Sequence, residues 1–439
     1  MIAVALRNLR HRPGGFIATF LSAFLGATLL MAFASLIDTA ADADAASSES
    51  LTTTAGVAGG WCLIIVAFAV TSTLSLAVRR RAEQIALLRR VGATGPQLRR
   101  MIVGEAAVVA VVASAVAVPA GALLGGALVE LLQNTGQVAE QVDAVFGPVA
   151  LAMGFGVTLL GSIAAGIATA RRTAAPAGAK PARPRLRRIA AGFFLLVGAN
   201  CATLTATLMD GKGVDAMQTA GQAGIWASIG LALLAPELLR LVTAVLGPPV
   251  RMLGGVAGEL AVLGVHSRIR QLAGAVMPVL LFAGIATGTV YMQRIEDDAS
   301  AGQVVPDYAQ DIKTLNYVVV GMITLFVAVM LVNMLIAATA GRRREFAQHR
   351  LAGATRGQLT AMVSLEVVLV TVTGVLGGTV AALFTVLPFG SARAGSLWPD
   401  LTPGAYALIV TAAAILTTAA MVGTARRTVR GPATAALRA

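Results

Sequence analysis

Residues 81–94 read RAEQIALLRRVGAT, and residues 342–355 read RRREFAQHRLAGAT. Gly92-Ala93-Thr94 aligns with Gly353-Ala354-Thr355, and no gap is needed on either side. Ala86 then matches Ala347, Arg89 matches Arg350, Gln97-Leu98 matches Gln358-Leu359, Met101 matches Met362 and Glu105 matches Glu366. Each copy follows an apolar run, opens with arginines and leads into an unusually long second apolar run. The chain therefore reads as two related halves of the same orientation, a parallel repeat.

The surroundings of the repeat set its environment. Of 439 residues, 57% are hydrophobic and 13% charged, against about 25% charged in soluble domains. The mean hydropathy is +0.80. These values predict an integral membrane protein. Ten stretches are long enough to cross about 30 Å of hydrocarbon: 16–37, 57–78, 102–132, 146–170, 189–209, 220–245, 271–292, 314–340, 359–389 and 403–425. The third and ninth are overlong and must tilt, kink or protrude, with Pro119 placed to kink the third. The first begins like a signal peptide, with Arg7, Arg10 and Arg12 ahead of it and AFA at 32–34. Its apolar core exceeds the length of a signal sequence, so it counts as a span. The expected fold is an all-α membrane protein of ten transmembrane helices. Two four-helix bundles, residues 1–170 and 250–439, are expected to be related by a pseudo-twofold axis, with a basic linker and two extra spans at 171–249.

The formal net charge is +13. In a soluble protein that would point to nucleic acid; here it is explained by arginines on the cytoplasmic ends of spans. With the N-terminus inside and sides alternating, 30 of the 34 Lys and Arg fall inside, the exceptions being Lys212, Arg294, Lys313 and Arg393. Of the 21 acids, 15 fall outside, Asp38 and Glu296 among them. Both termini are therefore expected in the cytoplasm. The linker RRTAAPAGAKPARPRLRR at 171–188 reads as an extended, basic, lipid-facing segment. Cys62 and Cys201 lie within apolar runs and predict no disulfide. His11, His266 and His349 stand apart and have no metal-ligand spacing.

The repeated segment has a mechanical reading. Ile85, Leu88 and Val91 share one helical face, with Glu83, Arg89 and Arg90 elsewhere, which predicts a short amphipathic helix at the inner membrane surface. Gly92 can take the positive φ that stops a helix, and Thr94 can cap the next one. The product is a bent lever able to pass cytoplasmic force into a span; the rival is simple interfacial anchoring. Glu105 and Glu366 stand near the start of the overlong spans. They read either as ion pairs or caps joining the lever to its neighbour, or as snorkelling carboxylates beside arginines. Each half also opens alike, with a short basic segment (5–26 and 261–282) running into a span. Gly121 with Gly125 and Gly374 with Gly378 have the spacing of close helix packing.

These residues resemble the FtsX-like permease family, the membrane subunits of MacB-type (type VII) ABC transporters. The resemblance rests on the arginine-rich starts, on QIALLRRVGAT and EFAQHRLAGAT, on the Gln-Leu that follows, and on Glu105 and Glu366. It implies a cytoplasmic ABC ATPase partner, two copies per chain, which would bind the ATP and magnesium; this chain would hold no cofactor. It implies an inner-membrane location. It also makes the segment between the second and third span of each half the coupling element, residues 81–98 and 342–359. The implied coupling residues are Arg81, Glu83, Gln84, Leu88, Arg89, Arg90 and Gly92 in the first copy, and Arg344, Glu345, His349, Arg350 and Gly353 in the second. Glu105 and Glu366 are the membrane-boundary acids. Two departures stand out. Relatives carry a large extracytoplasmic domain where this chain has short loops, 38–56 and 293–313. Gln348 and His349 also replace Leu87 and Leu88, which predicts unequal docking sites.

The expected function is an ABC transporter permease that exports or extracts a hydrophobic or amphipathic substrate. The sequence carries no GxxxxGK[ST], HExxH or GxSxG, so ATP hydrolysis falls to the partner. A proton-coupled carrier would need acids near mid-membrane, whereas Glu105, Glu366, Glu130 and Glu237 lie towards span ends. A signalling scaffold would need larger outer loops to grip a partner.

Overall fold

A computed structural model describes residues 17–80, 91–173, 184–211, 213–300, 308–340, 342–395 and 403–430. The described residues are helices and short connections, with no strand among them. Ten of the helices are long and apolar enough to cross a membrane. The chain separates into two compact units, Met1–Ala182 with Ser300–Phe326 and Arg183–Ala299 with Val327–Ala439.

In the first unit, α1 (Ile17–Ala40) is followed by α2 (Ala45–Thr54), which continues without a break through a π-helical turn, Ala55–Gly59, into α3 (Gly60–Arg80). The stretch expected as an outer loop, 38–56, is thus largely helical: Asp44 accepts a hydrogen bond from the Ser47 amide and caps α2. After α3 come α4 (Gly95–Asn134) and α5 (Pro148–Thr173). The 40 residues of α4 correspond to about 60 Å, and the helix continues through Pro119.

Helix α1 is the core of this unit and packs on α3, α4 and α5. Gly121 and Gly125 make its approach to α4 possible: a Cβ at Gly121 would lie 2.8 Å from the Met31 Cβ, and one at Gly125 would collide with Ser35. A buried hydroxyl pair, Ser114 and Thr158 at 2.7 Å, ties α4 to α5. At the other end of α1, the buried Asp38 carboxylate accepts from the amides of Gly147 (3.1 Å), Val149 (3.0 Å) and Ala150 (2.8 Å). It satisfies the orphan N–H groups of the first turn of α5 and sits at the positive end of that helix dipole. Thr39 accepts from the Val145 amide beside it (3.1 Å).

The chain continues with α6 (Pro184–Leu208), α7 (Gly213–Leu233), α8 (Ala235–Ser267), α9 (Ile269–Ser300), α10 (Tyr308–Ala340), α11 (Arg343–Leu351), α12 (Arg356–Ala394) and α13 (Pro403–Arg430). In the second unit, α6 and α7 pack closely on each other and both lie on α12. Gly198 faces Ala223 and Ala227, and Gly230 faces Ala191. Helices α6 and α7 both belong to this unit. Gly374 and Gly378 bring α12 against α9, where a Cβ on Gly378 would lie 2.7 Å from the Gly284 nitrogen.

The sixth expected span, 220–245, is not one helix. The run carries Pro236, Glu237 and Arg240, and the backbone breaks at Leu234, just ahead of the proline. Helix α8 then runs along α12, with Leu238 near Gly377 and Gly254 near Leu365. Gly255, at φ 51°, folds it back so that Val262 lies near Gly247. Arg187 (2.6 Å) and Arg188 (3.2 Å) of α6 pair with Glu237 at the break. At the opposite end, Arg393 of α12 makes two 2.8 Å hydrogen bonds to Glu296 of α9.

Candidate coupling site

Both Gly-Ala-Thr turns have the geometry that their residues dictate. Gly92 has φ 99° and Gly353 φ 96°, values closed to residues with a Cβ. Thr94 (φ −75°, ψ 156°) and Thr355 (φ −74°, ψ 159°) are extended N-cap residues. Each amide donates to the side-chain oxygen of the glutamine three residues on, Gln97 or Gln358, at 2.9 Å in both copies. Both are capping boxes, and the expected stop-and-cap arrangement is present twice. Leu98 and Leu359, the next residues, are buried and anchor each new helix.

The helix ahead of the turn is described in the second copy only. Arg81, Glu83, Gln84, Leu88, Arg89 and Arg90 lie outside the described residues. Helix α11 turns Phe346 and Ala347 into the protein, where both are buried, and leaves Arg343, Arg344 and Gln348 exposed. At this copy the apolar side chains pack on protein, against α12 and α13, while Ile85 and Leu88, on which the reading of a surface helix rests, lie outside the described residues. Arg350 is spent on the same packing, its Nη1 donating to the Val429 carbonyl of α13 at 3.1 Å.

At the base of α11 lies a buried ionic cluster. Glu366 of α12 is 0% exposed, and Arg342, the N-cap of α11, is 4% exposed. Arg342 donates to both Glu366 oxygens, Nη1 to Oε2 at 2.5 Å and Nη2 to Oε1 at 3.0 Å. The same guanidinium donates to both oxygens of Glu345, at 3.2 Å from Nε and 2.9 Å from Nη2. Arg268, between α8 and α9, pairs with Glu345 and lies 3.7 Å from Glu366. His349 stands 3.9 Å from Glu345. Two guanidinium groups thus balance two carboxylates, and removing one partner of such a buried set costs about 3–5 kcal/mol. Burial works to raise the pKa of Glu345, but the hydrogen bond and charge of Arg342, supported by Arg268, outweigh it and hold the carboxyl below the usual range. Burial likewise opposes the charged form of Arg342, yet Glu366 and then Glu345 raise its pKa.

Of the two boundary acids, Glu366 is thus an ion-pair partner of the lever. Glu105 is 6% exposed, at the corresponding place in α4. Arg342 and Arg268 are functional candidates that the sequence reading passed over. A signal for the first was available, because Arg342 precedes Glu366 by 24 residues and Arg81 precedes Glu105 by the same number. Arg268 has no such local mark, since only the fold brings it to the cluster.

Fold and turns together define a multi-pass helical membrane protein carrying one capped glycine turn in each of two sequence repeats. The sequence profile of the FtsX-like permease C-terminal domain matches residues 56–174 and again 317–433. The chain belongs to the FtsX-like permease family. Members are membrane subunits of ABC-type systems and generally work with a separate cytoplasmic ATPase. No curated protein matches the chain.

Proposed function

We propose that this chain is the permease of an ABC transporter and that residues 81–98 and 342–359 receive the motion of two cytoplasmic ATPase subunits. The observation that carries this reading is the twofold occurrence of the same capped glycine turn, each opening a helix of about 60 Å. Each turn opens a helix longer than a bilayer is thick, and in the second copy the turn joins it to the exposed Arg343, Arg344 and Gln348 of α11. ATP-driven closure of the ATPases would press on both levers and move the two bundles against each other. ATP and magnesium belong to the partner, and this chain supplies binding, orientation and the path of force. The arginine distribution supports an inner-membrane protein with cytoplasmic termini and turns. The substrate is a hydrophobic or amphipathic molecule drawn from the membrane, since the spans offer mainly apolar, small-residue surfaces.

The test is co-purification with a cytoplasmic ABC ATPase of the same cell, identified by mass spectrometry, before and after replacing 81–94 and 342–355 by Gly/Ser sequence. Loss of the ATPase on double replacement, with partial retention on either single one, supports the assignment. Undiminished binding after both replacements refutes it.

A further inference from the structure

The cluster under α11 has a consequence for how force would travel, and it rests on the coupling assignment above. We propose that Arg342 is the positioning residue that fixes α11 rigidly to α12, so that a push on α11 is delivered to the long helix and not lost in local bending.

Helix α11 has nine residues, too few to be stable alone. Its far end runs into the Gly353 turn, where a single residue sets the direction of the chain. At its start the chain comes directly from α10, with the Arg342 amide donating to the Thr339 carbonyl at 3.0 Å, and these two backbone joints alone leave its angle to α12 open. Arg342 closes the other end. Its carbonyl accepts from the Phe346 amide at 3.1 Å, so it belongs to the first turn of α11. Its side chain grips Glu366, about three turns into α12. Helix α11, the turn and the first three turns of α12 thereby form a closed triangle with Arg342–Glu366 as the fastening. Phe346 and Ala347 also hold α11 down, but apolar contact has no preferred angle. A planar guanidinium held by both oxygens of two carboxylates does set an angle. Arg268 carries the same joint to the start of α9.

The test uses the intact permease in lipid nanodiscs, without ATPase, and reads amide hydrogen exchange of residues 343–351 alongside thermal unfolding of the whole chain. Arg342→Met leaves the buried Glu366 and the partly buried Glu345 with reduced compensation, and α11 protection is expected to fall on the order of a hundredfold. The decisive variant is Arg342→Met with Glu366→Leu. Replacing a buried pair by apolar groups commonly restores global stability, so the unfolding temperature should recover while α11 stays deprotected. Arg342→Lys, which keeps the charge but cannot bridge two carboxylates, should fold normally and show roughly a tenfold loss of α11 protection. If the double variant regains wild-type α11 protection, or if lysine serves as well as arginine, the pair is only a core contact and the proposal fails. Because no ATPase is present, this result is independent of the co-purification experiment, and either can fail without the other.

Discussion

The two repeats agree at one end and differ at the other. At the glycine turns, φ differs by three degrees between Gly92 (99°) and Gly353 (96°), and the cap hydrogen bond has the same length in both. At the far end, the first span of each half is fastened by different chemistry. Helix α1 places Asp38 on the backbone amides that begin α5. Helix α9 places Glu296 on a side chain, Arg393 of α12. The turn is encoded by a glycine, a threonine and a glutamine at fixed places within six consecutive residues, and it tolerates Gly95-Pro96 in one copy and Arg356-Gly357 in the other. The far fastening needs only a link between helix ends, and several side-chain combinations supply one.

That contrast can be broken by mutation. Asp38→Ala should cost the most, about 3 kcal/mol, because three amides at the start of α5, that of Ala150 buried and the other two partly so, lose a charged acceptor. Arg393→Met should cost about 1 kcal/mol or less, because its ion pair is a quarter exposed and screened. Thermal unfolding in one detergent compares the two directly, and equal losses would show that both ends are fastened alike. The close-packed glycines come next. Gly378→Ala meets backbone atoms of α9 and should cost roughly 2–3 kcal/mol. Gly121→Ala meets mainly the Met31 side chain, which can shift, and should cost about 1 kcal/mol. Gly92→Ala and Gly353→Ala should each cost about 1–2 kcal/mol and match one another, since the strain is the same. A large inequality there would undo the equivalence of the turns.

The smallest effect is one of pH. Glu345 faces Arg342, Arg268 and His349, and its pKa is lowered from 4.5. A depressed carboxyl contributes stability that is complete above the ordinary glutamate pKa and lost as pH falls through the folded value. Exchange protection of α11, corrected for the intrinsic pH dependence of exchange, should stay flat from neutral pH to about 4.5 and decline only below it. Loss already near pH 6 would show that Glu345 is not the group that sets the pH dependence.

Much of this was legible in the sequence because it is local or periodic. The repeat, the Gly92 and Gly353 stops, the Thr94 and Thr355 caps and the long spans after them each follow from neighbouring residues. The break at Leu234 was missed because a span drawn on hydropathy ran straight across Pro236, which disfavours helix in the residue before it, and across Glu237. Asp38 counted in the sequence as one outer acid among many. Its role depends on Gly147, 109 residues away. The polar helix Ala45–Thr54 looked like a loop because its residues are poor helix formers, and it is held as an extension of α3. Arg268 joins the ionic cluster only through tertiary contact.

The inward setting of Phe346 and Ala347 bears on what α11 is. With those two side chains occupied, Leu351 is the one larger apolar residue it shows to the outside. Such a helix has no buoyancy of its own, and cut free as a peptide it would not rest on a lipid surface. It stands as a bracket bolted to the helices beneath, and its wettable side suits a water-soluble neighbour better than a bilayer.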